Sequence, residues 1–147
     1  MSLGDSFPDD IKKKFAERNI NLGNALLIHI PEFSITYEKY IIIVSTCGNK
    51  VELAYVVINS DPICNPHLKA LNVEIDKDSH SFLAKDSYVD CSKIREFPIQ
   101  YVIDFLTHNP ERAVGNVSDE ILKKIHVTLT TSKTIDRLTK VKYGFLN

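Results

Sequence analysis

Lys39-Tyr40-Ile41-Ile42-Ile43-Val44-Ser45 and Val51-Glu52-Leu53-Ala54-Tyr55-Val56-Val57-Ile58-Asn59, joined by a turn at Cys47-Gly48-Asn49-Lys50, are the stretch that decides the fold. Isoleucine and valine are stiff at χ1 and pack well on a pleated surface, so each run reads as a strand and the two as a hairpin. Nearly every position in them is apolar, which predicts a sheet covered on both faces. Working outward, Asn24 to Ile30 (NALLIHI) is a further strand stopped by Pro31. On the other side Ser60 to His67 (SDPICNPH) is a loop punctuated by two prolines. Ala70 to Ile75 alternates as a half-buried strand, and Ser87-Tyr88-Val89-Asp90-Cys91 gives another short one.

Helices flank this block. Asp9 to Arg18 reads as a short helix, with Pro8 and two acids at an N-terminus that favours anions, and with Ile11 and Phe15 as an apolar pair. Pro98 suits a first helical position, and Ile99, Val102, Ile103 and Leu106 then share one face until Asn109-Pro110. Ser118 caps a second run, whose stripe is Ile121, Leu122, Ile125 and Leu129. Thr130-Thr131-Ser132 interrupts it, and Ile135, Leu138 and Val141 suggest one more helical piece. About five clustered strands with segregated helices mean α+β rather than a βαβ sheet, and strands this short suit a small, strongly bent barrel.

The chain has 147 residues, 44% hydrophobic and 25% charged, which is one domain's length and a globular composition. No apolar run approaches a membrane span, and the N-terminus lacks the basic and apolar regions of a secretion signal. Met1-Ser2-Leu3 reads as a cloning remnant, leaving 4–147 as a single domain. A net charge of −1 excludes a uniformly basic nucleic-acid binder. The charge is uneven: residues 121–147 carry six Lys and Arg against Asp136, whereas residues 1–120 carry 12 against 18 acids. A basic end of this kind is either a solvated helix face or a phosphate-seeking or partner-docking segment. Three cysteines, Cys47, Cys64 and Cys91, without a signal peptide point to free thiols in a reducing cytoplasm.

Four segments, in order, resemble the toxin family that contains MazF, PemK and Kid. Gly23 to Pro31 resembles its opening GDIV strand, with Asn24 in place of the acid. Lys39 to Ser45 resembles its RPALVLS strand, Val57-Ile58-Asn59-Ser60-Asp61 its PITSQ strand end, and Gly115 to Ile125 its GRLSDEVLEEV helix start. The resemblance spans roughly 22–131, with 8–19 an N-terminal helix and 132–147 a basic extension. It implies an SH3-like β-barrel with helices at both ends, a homodimer, a protein antitoxin, and metal-independent cleavage of single-stranded RNA without a cofactor. The alternative on the same fold is a non-catalytic protein- or nucleic-acid-binding module.

Two departures fall at chemical positions. Lys39 stands where the family carries a catalytic Arg, and Asn59 where it usually carries Thr before Ser60. Lysine supplies charge but not the guanidinium fork. A working site therefore needs Lys39 to neutralise phosphate, Ser60 to orient it and a histidine to move a proton. Of five histidines, His67, close in sequence to Ser60, is the first candidate and His80 the second; His29 sits in an apolar strand, and His108 and His126 on helices. Asn59 and Asp61 flank the site. Asp86, Ser87 and Tyr88, in a stretch resembling the family's LADQVRSLDW, are candidates for base or ribose contact, since Tyr stacks and Asp or Ser reads edges. Their other reading is turn chemistry. Cys64 and His67 have the spacing of half a zinc site, which would need two more ligands from Cys47, Cys91 and His80.

Overall fold

A computed structural model describes residues 8–31, 33, 38–47 and 51–146. The elements in chain order are α1 (Asp9–Arg18), β1 (Asn24–Ile28), β2 (Lys39–Thr46), β3 (Glu52–Asn59), β4 (Asn72–Ile75), β5 (Ser87–Pro98), α2 (Ile99–His108), β6 (Ala113–Asn116), α3 (Asp119–Thr131) and α4 (Arg137–Lys142). The strands form one antiparallel sheet in the order β4-β5-β3-β2-β1-β6, curled into a half-barrel. The α+β expectation therefore holds, with β4 and β6 left as sheet edges. The expected turn at Cys47–Lys50 and the segment 1–3 fall partly or wholly outside the described residues.

The apolar hairpin is buried on both sides, as its composition requires. Ile42, Val44, Ala54, Val56 and Ile58 point to one face, where α3 and the tail residues Ile135, Tyr143 and Phe145 cover them. Ile41, Ile43, Leu53, Tyr55 and Val57 point to the other, under Ala16 of α1 and Val102 and Leu106 of α2. Each fully buried side chain of this size contributes about 1.5–3 kcal/mol of transfer free energy. Tyr55 and Phe97 stack at 4.6 Å on the α1–α2 side. Gly23, at φ +88°, makes the turn into β1; its N–H donates to Ile43 O at 2.8 Å and its carbonyl accepts from Val117 N at 2.9 Å. A side chain there would be strained by the backbone and would meet Leu122 at 3.3 Å.

Several elements differ from the sequence reading. β5 runs to Pro98 instead of stopping at Cys91, because its second half alternates around a bulge while carrying Lys93, Arg95 and Glu96. Those charges mask the pattern, yet one of them anchors the tail: Glu96 accepts from Lys142 Nζ at 2.7 Å. Ala70 and Leu71 belong to a 3-10 turn at Lys69–Leu71 rather than to β4. Ala113–Asn116, of which Gly115 and Asn116 read in sequence with the start of the following helix, is a sixth strand paired with β1. Asn24 and Asn116 lock that pair by an amide hydrogen bond of 2.6 Å, and Phe82 lies so close over Gly115 that a Cβ would sit 3.0 Å from its ring.

Candidate nucleic-acid interface

The sheet end where β2 begins and β3 ends gathers most of the expected site. Two residues beyond the Ile41–Val57 pair, Lys39 and Asn59 lie side by side on the α1–α2 face, and Lys39 Nζ donates to Asn59 Oδ1 at 2.8 Å. The next strand supplies Tyr88, the cross-strand partner of Asn59. Side chains directly opposite in a ladder point to the same face, so Lys39, Asn59 and Tyr88 form a row across β2, β3 and β5. Exposed Ser60 and Asp61 continue from Asn59, and Asp61 lies 4.0 Å from Lys85, just ahead of β5.

Electrostatics single out Lys39. Partial burial holds its ammonium below the ordinary lysine value, and burial is the only cause of the shift. Its bonded partner among the described residues is a neutral amide oxygen, not a carboxylate. A partly desolvated cation without an anion is costly to keep, and an incoming phosphate oxygen would relieve that cost. Glu38, the adjacent acid, is engaged with Arg112 at 2.8 Å.

The other expected residues do structural work or lie elsewhere. His80 is 1% exposed; its Nδ1 meets Asp76 O at 2.8 Å, and its Nε2 accepts from Ser118 N at 3.1 Å. Those two bonds set the tautomer with the proton on Nδ1, and pin the 76–86 loop to the start of α3. Ser87 is buried and donates to Lys85 O at 2.9 Å. Asp86 accepts from Lys77 N at 2.9 Å, a bond across the 76–86 loop rather than within its own turn. His67 is exposed beside Val127, Thr128 and Thr131 at the far end of α3, on the side of the sheet away from the Lys39 row. His126 and His108 are exposed on α3 and α2, the latter with Nδ1 at 2.8 Å from Asp104 O.

His29 is the residue the sequence reading passed over. β1 ends at Ile28, the cross-strand partner of Lys39, and His29 follows it, exposed, at the same end of the sheet. The run NALLIHI hid this, because the strand stops before the histidine and not at Pro31. Cys47 and Cys91 are buried in the α3-side core and Cys64 is exposed in its loop. Among the described residues no three His, Cys, Asp or Glu side chains are grouped to hold a metal ion. Among them, too, no helix is long and apolar enough to cross a membrane.

No family model matches the sequence, and no match was found among curated proteins. Among solved structures, the crystal structure of MazE-MazF from Deinococcus radiodurans contains a similar chain, with a TM-score of 0.50 at 12% identity, covering 76% of this chain and 92% of that one. The chain has a MazF-like fold. At that identity the likeness concerns the path of the backbone, and the chemistry has to be argued from the residues present.

Proposed function

We propose that this chain is a toxin-like RNA-binding protein that takes a phosphate of single-stranded RNA at Lys39. The observation that carries this is the half-buried ammonium of Lys39 held by a neutral amide. Asn59 aims the ammonium, Ser60 offers a hydroxyl to the phosphate, and Tyr88 supplies a ring on which a base stacks. Asp61 and Lys85, paired at the rim, are the lesser contacts. Since Lys39 is, among the described residues of the site, the cation without an anionic partner, the logarithm of the binding constant falls with log salt with a slope of roughly −0.7, the value for one phosphate on a single strand.

A second reading, cleavage, rests on His29, which follows the cross-strand partner of Lys39 although its neighbours Ile28 and Ile30 are the residues packed on the α1–α2 face. Metal-independent cleavage needs a group to take the 2′-hydroxyl proton, and His29 is the histidine at the Lys39 end of the sheet. The homodimer and the protein antitoxin that the MazF resemblance implies belong to the same proposal, the solved neighbour being a MazE-MazF structure.

One experiment addresses both readings. A labelled, largely unstructured RNA is titrated with the wild type, Lys39→Ala, Asn59→Asp and His29→Ala, following anisotropy and, on gels with EDTA present, chain length. Asn59→Asp is the informative variant, because it gives Lys39 a carboxylate while keeping its shape. Binding should weaken at least tenfold in both Lys39→Ala and Asn59→Asp while thermal stability stays level, and persist in His29→Ala. Discrete cuts by the wild type that vanish in His29→Ala, which still binds, as well as in the two weak binders support cleavage. RNA affinity indifferent to Asn59→Asp sinks the site.

A further inference from the structure

A cleft of about 280 Å³ opens between α3 and the chain entering β1. It reaches the core residues Val44 and Ile125, which form its floor. Leu22 stands at its rim, 60% exposed, and Phe145 lines it with a ring 5.1 Å from that of His126. The walls are fixed before anything enters. Gly23, next to Leu22, is bonded to Ile43 O and Val117 N, and Phe145 N donates to Lys140 O at 2.8 Å behind the left-handed Gly144. An apolar recess already formed, near the lower limit of ~300 Å³ for small-molecule sites, takes one apolar side chain and little more.

The mouth states what the rest of the occupant carries. Asp119, Leu122, Lys123 and His126 line the cleft at i, i+3, i+4 and i+7, one stripe of α3. The neighbouring pair Glu120 and Lys124 lie 3.5 Å apart, whereas among the described residues the exposed side chains of Asp119 and Lys123 are engaged with nothing. An acid in the first turn of a helix also favours the helix dipole, but that gives no use to Lys123. A carboxylate and an ammonium one turn apart, both unpaired beside an apolar recess, fit a zwitterion. A lone anion would be repelled by Asp119 and a lone cation by Lys123. An α-amino acid carries both charges on one carbon. Its carboxylate meets Lys123 and its ammonium Asp119, while its side chain enters the cleft against Phe145 and covers Leu22.

We propose that this cleft binds a free α-amino acid with a large apolar side chain. The inference goes beyond the RNA-binding reading and does not depend on it, since none of Lys39, Asn59 and Tyr88 lines the cleft.

The test is calorimetric titration of the full chain with L-phenylalanine, with phenylpropionate, which lacks the ammonium, and with phenylethylamine, which lacks the carboxylate. Phenylalanine should bind saturably at one site per chain. Each singly charged analogue should bind about tenfold more weakly or worse, the loss of one charge-assisted hydrogen bond. Lys123→Gln should weaken phenylalanine by a similar factor and leave phenylethylamine no weaker. Asp119→Asn should likewise weaken phenylalanine and leave phenylpropionate no weaker. Circular dichroism confirms the fold of both variants. No saturable binding of phenylalanine by the wild type, analogues that bind as well as phenylalanine, or an affinity indifferent to either variant overturns the proposal. RNA affinity of Lys123→Gln should match that of the wild type, which separates this result from failure of the Lys39 site.

Discussion

Replacing His80 by alanine tests whether this histidine is part of the framework or of the RNA site. Its ring accepts from Ser118 N at 3.1 Å and meets Asp76 O at 2.8 Å while 1% exposed. It also presents an edge to Phe82, whose ring closes over Gly115. Alanine leaves a part-buried N–H and a part-buried carbonyl without partners, each costing about 1–1.5 kcal/mol, the low end of the range for fully buried groups. The vacated ring volume adds about 1 kcal/mol at ~24 cal/mol per Å³ if part of it collapses. A total of roughly 3–4 kcal/mol lowers the melting temperature by roughly 10 °C for a domain of this size. Urea and thermal unfolding followed by circular dichroism measure the loss, and RNA anisotropy well below the transition measures function. The expected outcome is a large loss of stability with RNA affinity intact. A melting temperature within about 2 °C of the wild type, or a folded variant that no longer binds RNA, would refute the structural assignment.

Lys140 is buried and donates to Thr130 O at 3.0 Å and Ser132 O at 2.6 Å, capping the C-terminus of α3. Lys140→Met should cost about 2 kcal/mol in urea unfolding, whereas Lys142→Met, at a solvent-exposed pair, should leave the urea midpoint close to that of the wild type. Lys142 and Tyr143 both donate to Glu96, and these bonds hold its carboxyl below the ordinary value of 4.5. A carboxylate held low stabilises the fold above its unfolded pKa and loses that contribution as pH falls through the folded one. Acid unfolding followed by circular dichroism should therefore show the wild type losing more stability below pH 4.5 than Glu96→Gln does. Burial, with Asp90 adding to it, pushes the Cys91 thiol up to about 12, and Cys47 is also buried in the same core. A colorimetric thiol reagent should accordingly react fast with Cys64 alone in the native protein, and with all three cysteines only in denaturant.

The hairpin 39–59, the two amphipathic helices and the Ser118 cap were legible because each is a local pattern repeated over several residues. The cap is confirmed by Ser118 Oγ accepting from Ile121 N at 3.3 Å. β6 was not legible, since four residues with a glycine carry little propensity and are held by contacts to Asn24 and Phe82 far away in sequence. The second half of β5 was hidden by charges that serve the C-terminal tail. At the site, Lys39, Asn59 and Tyr88 could be assembled from motif order alone because strand pairing brings their positions together. Sequence proximity misled for His67: the loop after Ser60 carries it around the sheet edge to α3. His29 was hidden by being counted within its strand.

The basic segment 121–147 shows how composition and function part company. Its excess of cations leaves open a solvated helix face or a segment reaching for phosphate or a partner, and Lys140 and Lys142 are committed to capping α3 and holding Glu96. Its apolar residues Ile135, Tyr143 and Phe145 complete the core over the hairpin. Lys123, Lys124, Lys133 and Arg137 are left at the surface, and Lys124 lies 3.5 Å from Glu120. An exposed lysine keeps its hydration and gains little from a phosphate that water already screens. Lys39 has surrendered part of its hydration and, among the described residues, has received only an amide in return. An anion therefore gains more at this single residue than at the more numerous exposed cations of the C-terminal segment. That difference is why the weak net charge of the chain and a specific phosphate site are compatible, and why removing Lys39 should matter more to RNA than removing Lys123 and Lys124 together.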